Sequence, residues 1–217
     1  MGDIAPHIYR PPKIQKMGIA YHDSDLVIID KPSGLLSVPG RGAEKAVCAS
    51  AYTEQLFGPV FTVHRLDMDT SGLLLFARSK PAQAALSRQF EKRRVKKVYE
   101  AVIDGHPDRN AGLIDLPIAK YSRSRPLRHI EAGGQAALTR WRVLSRSATA
   151  CRVQLEPETG RSHQLRLHMA AVGHGILGDN FYGPANRSGR LLLHARNLTI
   201  FHPETNQILE IKSAAPF

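Results

Sequence analysis

Apolar residues fall in short runs cut by Gly, Pro and Asp, and the spacing inside each run separates strands from helices. Residues 25–30 (DLVIID) are an apolar run stopped by Lys31-Pro32-Ser33-Gly34, which predicts a strand and then a turn. Residues 39–42 predict another turn, 61–63 a brief strand, and 73–77 a buried strand too short for a helix. Residues 98–103, rich in Val, Tyr and Ile, predict one more. The clearest period of two comes from Thr139, Trp141 and Val143, set between Arg140 and Arg142, and from Cys151, Val153 and Leu155, set between Arg152 and Gln154. The polar turn 145–147 joins these as an antiparallel hairpin. Residues 191–195 and 198–201 predict two last strands.

Helical spacing marks three stretches. In 43–57, Val47, Ala51 and Leu56 share a face and Gly58-Pro59 closes the segment. Ser79 caps a second helix, with Pro81 in its first turn and Ala82, Leu86 and Phe90 on one side, running to about Arg94. The third, 162–172, carries Leu165, Met169 and Val172 and ends at Gly173. Strands and helices do not alternate as βαβ units, so the fold class is α+β.

With 217 residues and 42% hydrophobic content, one compact domain is expected over 21–217, after a Pro-rich, weakly ordered lead-in at 1–20. No apolar run approaches the ~18 residues of a membrane helix and no apolar signal core opens the chain, so a cytoplasmic protein is expected. Cys48 and Cys151 have no CxxC partner and read as small buried groups. His163, His168, His174 and His194 form no HxxxH pair and no cluster with Cys or carboxylates, so no metal site is expected.

Charge changes the picture. Lys plus Arg number 30 against 19 acids, a formal +11, which points to a polyanionic partner. Residues 78–97 hold eight basic side chains, among them Arg93, Arg94, Lys96 and Lys97, and one acid, Glu91. Residues 120–128 add four more, with 122–125 (SRSR) expected as a phosphate-contacting loop. A basic run is commonly just a solvated face; two runs in so basic a chain favour nucleic acid.

The densest chemistry lies in the loop 64–72, HRLDMDTSG, between two strands. It reads as a site held at both ends by rigid elements, or as a turn stabilised by its own Asp and Ser side chains. Asp69 is either a second carboxylate or a turn cap. Tyr99 shares a strand face with Ala101 and Ile103, as a core tyrosine would. Arg166 shares a helix face with His163 and Ala170, opposite Leu165 and Met169, as a solvated arginine would.

HRLDMDTSG resembles the HRLDxxTSG signature of the RluA family of pseudouridine synthases. The resemblance extends over 31–40 (KPSGLLSVPG), 88–102, 158–179 (ETGRSHQLRLHMAAVGHGILGD) and 191–195 (LLLHA), nearly everything beyond residue 20. It implies a mixed, mainly antiparallel sheet flanked by helices and loops, and isomerisation of uridine to pseudouridine in RNA, with 23S ribosomal RNA, the tRNA anticodon stem-loop or both as targets. It also implies Asp67 as the catalytic carboxylate, Tyr99 as the ring stacking on the target base, and Arg166 as the basic partner of Asp67. Arg65 would enter the stack vacated by a flipped uridine, and Lys31-Pro32 would be structural. The chain would begin directly with the catalytic module, without the S4 RNA-binding domain of several relatives, and act as a monomer. The reaction moves the ribose from a ring nitrogen to carbon 5 with no net redox change, so no cofactor is expected. The alternatives are a non-catalytic RNA-binding module or chaperone, and a nucleoside or glycoside hydrolase in which Asp69 would be the acid.

Overall fold

The computed structural model describes residues 9–13, 17–121, 127–184 and 188–217. In chain order the elements are β1 (Gly18–His22), β2 (Leu26–Lys31), α1 (Ala49–Phe57), β3 (Phe61–Thr62), β4 (Ser71–Ala77), α2 (Lys80–Glu91), β5 (Lys96–Asp104), β6 (Ala111–Asp115), β7 (Ile118–Lys120), β8 (Arg128–Ile130), β9 (Leu138–Arg146), β10 (Ala150–Pro157), α3 (Gln164–Ala171), β11 (Leu193–Phe201) and β12 (Ile208–Lys212). The main sheet runs β1–β2–β4–β11–β5–β10–β9–β6, with β3 beside β4 and β12 beside β11, while β7 and β8 pair separately. Among the described residues only β4 and β11 pair in parallel; this is the mixed, mainly antiparallel α+β architecture expected.

Strands β2 and β4 are continuous apolar runs because both their faces are covered. Leu26, Ile28, Leu73, Leu75 and Ala77 meet Ala82 and Leu86 of α2. Val27, Ile29, Leu74 and Phe76 turn the other way, toward Ala49 of α1. On the second half of the sheet, Ala101, Ile103, Val153 and Leu155 pack against Leu165 and Met169 of α3. Truncating any of these fully buried leucines to Ala costs about 2–5 kcal/mol. The halves join at the short parallel bridge His194↔Ser71 and Ala195↔Gly72. Gly72 has φ 110, and a Cβ there would lie 2.4 Å from the Ala195 carbonyl oxygen. Only glycine lets the strands approach this closely.

The hairpin β9–β10 has the predicted antiparallel pairing, with Leu155 opposite Trp141. Ser79 Oγ accepts from the Ala82 amide, but α2 stops at Glu91, short of Arg94, because Arg93 adopts φ 55. The predicted helix 43–57 is also shorter. Residues 43–45 form a single 3₁₀ turn, and Cys48 is extended before α1 starts at Ala49. Val47 and Leu56 are consequently exposed, and Ala49 and Thr53 take the buried face. The two strands expected at 191–201 are one strand, β11, with a bulge between Ala195 and Asn197. Strands β1, β6, β7, β8 and β12 are short, with polar or exposed positions that mask their alternation. Order begins inside the expected lead-in: Tyr9 and Met17 are buried, and the Tyr9 hydroxyl donates to the Val47 carbonyl at 2.8 Å. Both cysteines are buried and free. The SRSR segment falls in 122–126, outside the described residues. Among the described residues no helix is long and apolar enough to cross a membrane.

Candidate active site

The loop between β3 and β4 is pinned from behind by residues 31–37. The buried Lys31 ammonium gives its three hydrogens to the carbonyls of Pro32, Leu35 and Met68 at 3.0, 2.8 and 2.9 Å. Ser33 Oγ donates to the Asp69 carbonyl at 2.6 Å and the Gly34 amide to that of Met68 at 3.0 Å. Ser37 Oγ donates to the Leu66 carbonyl and accepts the Leu66 amide. Burial pushes the Lys31 pKa down to about 7, against the pull of Asp69 and Asp67. Every donor of this buried cation is matched, the condition for burying it at all. Lys31 thus ties residues 32–35 to the loop at Met68, and the backbone flanking Asp67 is held on both sides.

Asp67 side-chain exposure is 28%, and its Oδ2 accepts from Arg166 Nη1 at 3.3 Å. The sequence placed Arg166 on a solvated helix face; it is 2% exposed. The reason is a second carboxylate: Asp179 takes Nε and Nη2 of Arg166 at 2.7 Å each, in a buried fork. Burial alone would lower the Arg166 pKa, but the bonds and charge of Asp179, with Asp67 behind them, raise it. Burial would raise that of Asp179; the Arg166 fork and the amides of Phe181 and Tyr182 outweigh it and hold the carboxyl below its usual range. Gly178 (φ 76) turns the chain into this position, where a Cβ would strike the Arg190 carbonyl. Helix α3 carries polar side chains inward because each is satisfied. Gln164 donates to the Leu138 carbonyl and the Thr139 hydroxyl, and His168 bridges Thr139 and the Leu116 carbonyl.

His163 begins α3 in the left-handed conformation, φ 58. Its Nε2 faces Asp67 Oδ1 at 3.9 Å, and its Nδ1 meets the Tyr182 hydroxyl at 2.9 Å. That hydroxyl accepts the Arg128 amide at 2.8 Å and can give its own hydrogen to Nδ1, the tautomer in which the imidazole hydrogen sits on Nε2, toward Asp67. Burial lowers the His163 pKa, more than Asp67 raises it, so the ring is neutral at pH 7.

Asp67, His163 and Arg166 line a cavity of about 590 Å³ that also takes in Tyr99, Arg65, Lys97, His64 and Thr70. Burial, and then the charge of Asp67, raise the Tyr99 pKa, so the phenol stays protonated. Burial lowers that of Lys97. His64 Nε2 accepts the Leu75 amide at 3.1 Å, its ring stacks on Phe90, and burial pushes its pKa down to about 3. The buried Thr70 hydroxyl has no hydrogen-bond partner.

Five of the eight residues singled out from the sequence therefore split from the rest: Asp67, Tyr99, Arg166, Arg65 and Lys97 share the cavity. Arg93, Arg94 and Lys96 are exposed outside it. Strand alternation separates the two lysines, since Lys97 shares the face of Tyr99 and Lys96 does not. Asp69 lines a different cavity, with Lys31 and Arg190. Sequence reasoning missed Asp179 and His163; the turn signal of Gly178 ahead of a carboxylate was the available hint. Asp23, Asp25 and His202 lie close enough together to hold a metal, but both Asp23 oxygens already accept hydrogen bonds, Oδ1 from the amides of Asp25 and Leu26, Oδ2 from Tyr21 and His202.

A carboxylate held by a buried guanidinium, in a cavity that also holds Arg65 and Lys97 beside a protonated tyrosine, suits nucleophilic or acid–base chemistry on an anionic substrate. The RNA pseudouridylate synthase family model matches residues 25–171, and the chain belongs to that family: it isomerises uridine in RNA to pseudouridine. It is 43% identical over 214 residues to the dual-specificity RNA pseudouridine synthase RluA of Haemophilus influenzae, covering 96% of this chain and 98% of the relative. It is 44% identical to the RluA of Escherichia coli K12 over the same shares. Among solved structures, human RNA pseudouridylate synthase domain containing 1 superposes with a TM-score of 0.81 at 29% identity, over 96% of this chain and 87% of that one. Human RNA pseudouridylate synthase domain containing 4 does so with 0.74 at 27% identity, over 92% and 88%.

Proposed function

We propose that Asp67 is the catalytic carboxylate of this pseudouridine synthase, and that its substrates, like those of the dual-specificity relatives, include both ribosomal RNA and tRNA. The arrangement that carries this reading is the Arg166 fork, which spends two donors on buried Asp179 and aims a third at Asp67. Isomerisation breaks the bond between ribose C1′ and N1, rotates the uracil and joins C1′ to C5, whose proton leaves. An ionised carboxylate on the ribose face serves by attacking C1′ or by removing a ribose proton to give a glycal. Arg166 orients Asp67, and Nε2 of neutral His163 faces its other oxygen without competing as a cation.

The target uridine must leave its stack to reach the cavity, at a cost of a few kcal/mol. Stacking on Tyr99 and insertion of Arg65 into the gap offset that cost. Lys97, inside the cavity without a carboxylate partner among the described residues, receives a phosphate of the flipped nucleotide. Arg93, Arg94 and Lys96 hold the flanking backbone. The chain works as a single catalytic domain that takes in β1 and the buried Tyr9 and Met17 ahead of it, in the cytoplasm, where both classes of RNA reside. A hydrolase reading is disfavoured because Asp69 points into another cavity and Asp179 is consumed by Arg166.

The test is RNA labelled with tritium at C5 of uridine. Release of tritium with the base retained is expected with both ribosomal RNA fragments and tRNA; free uracil would mean hydrolysis, and binding without release would make the chain a mere RNA-binding module.

A further inference from the structure

A phenylalanine packs against two of the side chains that line the cavity. Phe181 lies two residues after Asp179, and the Asp179 carboxylate accepts its amide at 2.9 Å, so the carboxylate that grips Arg166 also sets this ring. The ring lies nearly parallel to the His163 imidazole (centroids 5.7 Å apart, 20° between planes), with the Arg166 guanidinium 5.1 Å from its centroid. Tyr182 meets it edge-on at 74°. Held on these sides, it is nonetheless 40% exposed. His163 and Arg166, the two groups that face the oxygens of Asp67, both line the cavity, and the exposed ring packs against both of them.

We infer that Phe181 is a stacking platform for the RNA base next to the target uridine, an inference that rests on the reading of the cavity as a uridine site. Flipping a nucleotide strips its neighbour of a stacking partner. That neighbour remains tied to the target by one phosphodiester, so it must lie at the cavity edge. An aromatic ring left partly in water there offers that base a second stacking partner beside Arg65, without reading base identity, because every base has a π-face. The cation and imidazole behind the ring fix its orientation in advance, so little freedom is lost on binding.

The experiment uses the full chain and an RNA stem-loop carrying tritium at C5 of the target. Phe181→Ala is expected to raise KM roughly 10- to 100-fold, the range set by one base–aromatic stack, with kcat at saturation little changed. Phe181→Leu keeps bulk over His163 and Arg166 but has no ring, and is expected to behave like Phe181→Ala; Phe181→Trp is expected to restore wild-type KM. A 2-aminopurine placed beside the target should be dimmer in complex with the wild type than with Phe181→Leu. A wild-type KM in Phe181→Leu, or a loss confined to kcat, would assign the ring to covering Arg166 and overturn the inference, even while tritium release by the wild type upholds the uridine site. No release by the wild type would sink the site reading and this inference with it.

Discussion

Arg166 and the exposed trio Arg93, Arg94 and Lys96 carry the same charge in opposite surroundings. Arg166 is 2% exposed and committed to two carboxylates, whereas the trio stands in solvent on the turn and strand start after α2. A buried cation is fixed, cannot be neutralised and acts only on what it touches, which suits orientation of a reacting group. A solvated cation is mobile and screened, and acts by displacing counterions from a polyanion. Lys97 stands between the two cases, next to Lys96 in sequence but on the cavity side of the strand.

The comparison breaks if the buried group proves dispensable. Asp67→Asn should lower single-turnover pseudouridine formation by on the order of 10⁴-fold while RNA binding persists; turnover within tenfold of wild type would remove Asp67 from the chemistry. Asp179→Asn leaves Arg166 buried with only Asp67 to answer it. Stability should fall by about 3–5 kcal/mol in denaturant unfolding and kcat by roughly 10- to 100-fold. The partly exposed pair Arg140–Glu158 supplies the contrast, since Glu158→Gln should cost under about 1 kcal/mol. Equal losses at the two sites would mean that burial is not what distinguishes them.

Arg94→Ala with Lys96→Ala should leave kcat untouched and flatten the dependence of log affinity on log salt by about 0.7–0.9 for each phosphate no longer neutralised. An unchanged slope would take the trio off the RNA. The smallest effect concerns His64, whose neutral Nε2 holds the Leu75 amide. The folded ring takes up a proton only near pH 3, the unfolded one near 6.5. Between those values the unfolded chain binds more protons, so stability declines as pH falls through that window. His64→Gln, which keeps an acceptor and cannot titrate, should flatten the decline seen in urea midpoints between pH 6 and 4; an unaltered decline would place the acid sensitivity elsewhere.

Much of this was legible in one dimension. Runs such as 25–30 and 73–77 mark strands buried on both faces, Ser79 with Pro81 marks a helix start, and period two marks the hairpin β9–β10, because each depends on neighbours two to four residues apart. The loop 64–72 likewise stands out by composition, and its likeness to a family signature points to Asp67, Tyr99 and Arg166. What escaped depends on distant partners. The helix expected from residue 43 was assembled from positions that belong to separate turns. Arg166 looks solvated until Asp179, thirteen residues on, arrives to neutralise it. His163 gives no local sign of facing Asp67, ninety-six positions earlier.

The amino-acid order thus determined which runs form strands and helices, that 139–155 folds as a hairpin, and which loop concentrates the polar chemistry, since periodicity and turn chemistry are local. Tertiary structure alone decided which charges are buried and matched and which stay in water. That outcome turns on the free energy of removing an ion from solvent, which is recovered only when chain-distant partners converge on it.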